Sequence, residues 1–120
     1  MSYKYLPNPE IESKIKAGIK NGLTVIGEAI KTEATNNLNE KVYSNDPKTY
    51  KLTGDLKKSL TVKVNDTTVT IGSNLEYAPY VEYPGVTRKF AGKPYLRPAL
   101  NKVSTIARYI LGNEIRKKIL

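Results

Sequence analysis

The stretch LTVKVNDTTVTIG, residues 60–72, alternates apolar and polar side chains on both sides of an Asn-Asp pair. Leu60, Val62 and Val64 alternate with Thr61 and Lys63, the period-two pattern of a half-buried strand. Asn65-Asp66 is predicted to be a two-residue hairpin loop, because both residue types tolerate positive φ. The return strand then runs from Thr67 to Gly72, with Val69 and Ile71 as its strand formers, so a β-hairpin is expected over about residues 59–73. Without it the chain would read as two helices; with it the fold class is α+β.

Working outward, Asn8-Pro9-Glu10 is a helix start, with Asn8 as N-cap and Pro9 in the first helical position. Ile11, Ile15, Ile19, Leu23, Ile26, Ile30, Ala34 and Leu38 follow at steps of four or three, which predicts an amphipathic helix over about residues 9–41. Steps of four overshoot the 3.6-residue period, so the stripe drifts around the helix and Ile11 ends nearly opposite Leu38. Either the helix bends near Gly18, Gly22 or Gly27, or its two ends meet different neighbours. Residues 44–51, SNDPKTYK, read as a loop, and Thr53 as the cap of a short helical turn beginning at Gly54 or Asp55.

On the other side of the hairpin, residues 75–93 hold a corner and a basic loop. Tyr95 and Leu96 offer a third strand at the sheet edge. Pro98 opens a last helix over about residues 98–119, with Ala99, Val103, Ile106, Ala107, Ile110, Leu111, Ile115 and Ile119 as its apolar stripe. Its final turn carries Arg116, Lys117 and Lys118, which complement the helix dipole. The expected architecture is one domain, residues 1–120, with a long N-terminal and a C-terminal helix packed on a small antiparallel sheet. So small a sheet leaves unpaired edges unless something covers them.

The chemistry open to this chain is narrow. It has no Cys and no His, which removes disulfides, Cys–His and Ser–His catalysis and His/Cys metal sites. Its N-terminus, MSYKYLPNPE, has no apolar stretch of a signal peptide, and no apolar run approaches the ~18 residues of a membrane span, so a cytoplasmic protein is expected. The net charge is +9, from 20 Lys+Arg against 11 Asp+Glu, but the cations are spread along the chain. That reads first as a solvated basic surface and second as a nucleic-acid-binding module.

The decapeptide EYAPYVEYPG, residues 76–85, is where function would sit if this were an enzyme. Glu76 and Glu82 have the residue types of a glycosidase pair, but they share one short segment held by Pro79 and Pro84 with no cleft in sight. A Mg²⁺ site from Asp46, Asp55 or Asp66 is singled out by no spacing. The Gly-Lys of AGKP lacks the rest of a phosphate-binding loop, since Lys93 precedes a proline. Tyr77, Tyr80 and Tyr83 could stack bases beside Arg88, Lys89 and Lys93. The plainer alternative is that Tyr77 and Tyr80 pack under the hairpin, or that Tyr and Arg residues build a protein interface. No catalytic, cofactor-binding or metal-binding residue is assigned.

Three blocks, LTGDLKKSL (52–60), IGSNLEYAPYVEYPG (71–85) and GKPYLRPAL (92–100), resemble a family of tailed-bacteriophage head–tail joining proteins, also called tail-completion or neck proteins. Members show a T-G-x-L-x-x-S-I/L block, a V/I-G-S-x-x-x-Y-A-x-Y-V-E block and a P-F/Y-L-R-P-A block, and all three stand here in order. The N-terminal helix fits by position. Pro84 stands where many relatives carry Gly-Thr after an aromatic, and the basic loop is short.

The resemblance implies a structural subunit of a phage or prophage, with no enzyme activity and no cofactor. It would assemble with itself into a ring, a hexamer by analogy with tail symmetry, between the portal connector and the tail tube. DNA would at most pass through the channel. The protein would act in the host cytoplasm during assembly and in the virion afterwards. A tail terminator, a minor capsid component or part of a phage-tail-like bacteriocin are the neighbouring alternatives. On this reading Tyr77, Pro79, Tyr80, Val81 and Glu82 form a structural corner, and Arg88, Lys89, Phe90, Lys93 and Arg97 are the candidate assembly contacts.

Overall fold

The computed structural model describes residues 8–39, 54–76, 78, 82 and 94–120. Helix α1 spans Pro9–Leu38, and a short helix α2 occupies residues 54–59. Strands β1 (Thr61–Val64) and β2 (Val69–Gly72) form an antiparallel pair, and helix α3 spans Leu96–Ile119. The fold is α+β, two long helices with a small antiparallel sheet.

α1 begins as the sequence predicts. Asn8 Oδ1 accepts from the backbone N–H groups of Glu10 and Ile11, at 3.1 and 3.2 Å, and Pro9 follows in the first turn. These bonds satisfy two of the donors that every helix start leaves without an intrahelical partner. α1 and α3 run antiparallel along each other: Asn37 Nδ2 reaches the Tyr95 carbonyl at one end, and Gly18 faces Ile115 at the other. The drift of the α1 stripe is resolved by different neighbours. A Cβ on Gly18 would lie 2.6 Å from Ile115 Cα, and one on Gly22 2.7 Å from Leu111 Cδ1, so these glycines let α3 come close. One on Gly27 would lie 2.5 Å from Val62 Cγ1, so here it is the hairpin that comes close.

The hairpin register is Thr61↔Gly72, Val62↔Ile71, Lys63↔Thr70 and Val64↔Val69. Asn65 and Thr68 then face each other, with Asn65 N–H donating to the Thr68 carbonyl at 2.8 Å. The two-residue loop is therefore Asp66-Thr67, one residue beyond the predicted Asn65-Asp66. The Asn65 side chain explains the shift, since its amide donates to Thr68 Oγ1 at 3.3 Å and closes the turn from inside the ladder. The sheet packs on α1, with no comparable packing on α3. Ile26, Ile30, Ala34 and Leu38 of α1 join Leu56, Leu60, Ala78, Tyr95, Ala99 and Val103 in one buried cluster. Burying each large aliphatic side chain there contributes about 1.5–3 kcal/mol.

Tyr95 and Leu96 are not an edge strand. Tyr95 is the N-cap of α3 and Leu96 its first residue, so the helix starts two residues before Pro98.

Candidate assembly site

The three sequence blocks converge at the start of α3. In the first, Leu56 and Leu60 are buried, and Ser59 Oγ donates to the Leu56 carbonyl at 2.7 Å. The same hydroxyl lies 2.6 Å from Ser73 Oγ, in the second block. Ser73 Oγ in turn accepts from the Leu75 N–H at 3.1 Å, and the Ala78 N–H donates to the Leu75 carbonyl at 3.2 Å. Two serines thus tie the end of α2 to the exit of β2 and start the turn that leads to Glu82.

Glu82 is helical and buried, with 6% of its surface exposed. Its Oε2 accepts from the backbone N–H groups of Tyr95 and Leu96, both at 2.8 Å, and its Oε1 from that of Arg97, also at 2.8 Å. α3 offers no cap of its own: the Tyr95 side chain makes no capping bond, and the first turn has no acidic residue. Glu82 fills that place from thirteen positions upstream. The next residue, Pro98, has no N–H to satisfy. The carboxylate and the proline together account for the orphan donors at this helix start.

Burying a carboxylate is costly unless its charge is met by hydrogen bonds. Here three N–H groups at the positive end of a helix meet it, the arrangement in which charge-assisted bonds and the helix dipole act together. Both oxygens are engaged in this cap, while Glu76, the other carboxylate of the segment, is exposed. What the junction does chemically is hold three chain segments in one geometry.

Of the residues predicted to form the corner, Glu82 is the one the structure describes; Tyr77, Pro79, Tyr80 and Val81 lie outside the described residues. Arg88, Lys89, Phe90 and Lys93 lie outside them too. Arg97 sits in the first turn of α3, with its backbone N–H on Glu82. Among the described residues no group of three carboxylates could hold a metal ion. Among the described tyrosines, Tyr95 is fully buried and Tyr109, on α3, is 71% exposed. In the last turn of α3, Lys117 pairs with Glu114 at 3.0 Å, and Arg116 reaches Asn113 Oδ1 at 3.4 Å.

Sequence reasoning missed the Ser59–Ser73 link and the capping role of Glu82. The signal for the second was present. A helix start with no local Ser, Thr, Asp or Asn cap needs an acceptor from elsewhere, and Glu82 is the one charged residue of residues 77–85.

Residues 9–83 match the family described as "Bacteriophage HK97-gp10, putative tail-component". The chain belongs to that family. Membership places it among bacteriophage structural proteins, as a tail component. The matched span takes in α1, α2 and the hairpin and ends just after Glu82, so the PYLRPA block lies beyond it. Neither the curated proteins nor the solved structures hold a match. Among the described residues no helix is long and apolar enough to cross a membrane.

Proposed function

We propose that this protein is a structural subunit of the head–tail joint of a phage or prophage, a connector or tail-completion ring between the portal-proximal connector and the tail tube. Family membership supports the tail-component part of this reading. The observation that carries the rest is the junction, where Ser59 of the first block and Ser73 and Glu82 of the second serve the architecture and the third block supplies the backbone N–H groups that Glu82 caps. Glu82 caps a helix and Ser59 and Ser73 bind each other, so these three polar side chains hold the fold. On this reading the chain is not an enzyme. It assembles with copies of itself, six by analogy with tail symmetry, and with the neighbouring connector and tail proteins. It assembles in the host cytoplasm and ends in the virion neck.

The family description fits a tail terminator as well, and position in the particle separates the two. Antibody against the full-length protein, carrying gold, should label the head–tail junction of intact particles. Labelling of the distal tail tip or along the tube would overturn the joining role. Label confined to the junction but present on free tails made without heads would favour the terminator.

A further inference from the structure

We propose that the outer edge of β2 is a docking groove for an extended, acidic-flanked strand contributed by another virion protein. Because the sheet packs on α1, an open cavity of about 600 Å³ lies between β2 and α3. Residues 69–73 form one wall, Leu100, Ser104 and Ala107 of α3 the other, and Ile26 and Ile30 the floor. Consecutive strand residues alternate between faces, so a wall made of all of them is an edge and not a face.

The backbone geometry says which groups are offered. Counting from the hydrogen-bonded pair Asn65–Thr68, hydrogen-bonded and non-hydrogen-bonded pairs alternate along the register. Val69 and Ile71 therefore turn their N–H and C=O groups outward, and among the described residues β2 has no strand on that side. The two edges of the sheet differ in a telling way. β1 carries Lys63, a charge of the kind that discourages edge pairing, whereas residues 67–75 contain no charged residue at all. An uncharged edge beside an apolar wall is the arrangement that strand addition uses.

Size and charge choose the occupant. β2 is four residues long, about 13 Å at 3.3 Å per residue. A single edge of four residues does not by itself supply the ~800 Å² per partner that a stable globular interface needs, so it suits a segment and not a folded surface. Lys102 of α3 pairs with Glu33 away from the groove, so the cations that flank it are Arg97, in its lining, and Arg108, one turn beyond Ser104, on a chain that carries +9 overall. An apolar, β-branched strand with acidic flanks complements it. That the strand comes from a neighbouring virion protein rests on the joining role.

The test uses full-length protein and an end-blocked decapeptide with alternating Val and Thr flanked by Glu, with a Lys-flanked version for comparison. Amide hydrogen exchange followed by NMR should slow at Val69 and Ile71 by about tenfold or more when the Glu-flanked peptide is added. Leu100→Glu, at a position 53% exposed, should weaken binding by about tenfold or more, while Val25→Glu, at an exposed apolar position outside the groove, should leave it unchanged. If Leu100→Glu does not fold, exchange in the unsubstituted protein decides alone. Unchanged exchange at Val69 and Ile71 overturns the proposal, as does equal binding of the Lys-flanked peptide. Protection of the same amides without peptide, rising with protein concentration, would assign the groove to a second copy and also overturn it. These outcomes are independent of where the protein sits in the particle, so a failed peptide test leaves the joining role standing, and a failed joining role leaves the groove.

Discussion

Glu82 is the residue on which the junction turns, and its replacement separates capping from mere polarity. Glu82→Ala leaves the Tyr95, Leu96 and Arg97 N–H groups without their acceptor in a largely buried site. The expected loss is about 2–4 kcal/mol, more than a surface cap because the bonds are charge-assisted. Glu82→Gln keeps one acceptor oxygen and should lose about half as much. Glu76→Gln, at an exposed position, should leave the urea midpoint where it was. Equal midpoints for Glu82→Ala and Glu76→Gln would contradict the cap. For the serines, a double-mutant cycle of Ser59→Ala and Ser73→Ala should give a coupling of about 0.5–1.5 kcal/mol, since their hydroxyls lie 2.6 Å apart. Additive effects would mean that each serine acts only on its own local turn.

At the scale of elements, the closeness of α1 to α3 depends on glycine. A methyl at position 18 meets the backbone of Ile115, which cannot swing aside, whereas at position 22 the nearest atom is a Leu111 methyl. Gly18→Ala is therefore expected to destabilise by about 1–2 kcal/mol, the cost of overpacking exceeding the gain in helix propensity. Gly22→Ala should cost less. Gly112→Ala, on α3, meets only the Arg116 guanidinium at 3.8 Å and should stabilise by about 0.5–1 kcal/mol. Thermal melts that rank Gly18→Ala with Gly112→Ala would show that the helices do not touch there.

The same elements show how much was legible in the sequence. The α1 start could be read because Asn8 and Pro9 act locally, and the hairpin because period two does not depend on the partner. The contact face of α1 could not. Ile15, Ile19 and Leu23 carry the apolar periodicity but are only half-buried, while Gly18 and Gly22 face the partner helix and are buried. Hydrophobic spacing registers large side chains, and a close helix crossing is made by their absence. The start of α3 was misplaced for a related reason: Pro98 is a local signal, and the true cap is a carboxylate far along the chain. Of the candidate site, Glu82 was singled out as part of a corner, but its role needs a contact that no local pattern encodes.

The whole molecule is long for its size. Its radius of gyration is 18.9 Å and its extents are 68 × 24 × 22 Å, against a radius of about 14 Å for a compact chain of this length. Apolar side chains remain open toward the ends of the paired helices, with Ile11 45% and Ile119 43% exposed. An elongated subunit with such surface suits a part that is finished by its neighbours, which is what a joint in a particle requires. Sedimentation of the purified protein should show association that rises with concentration and weakens in Ile11→Glu/Ile119→Glu. A strictly monomeric protein at high concentration would leave assembly to its partners alone.

The joining role itself is tested most directly by electron microscopy of the particles made when this gene is inactivated in its phage or prophage. Filled heads beside separate, finished tails are predicted. Joined and infectious particles would contradict the account.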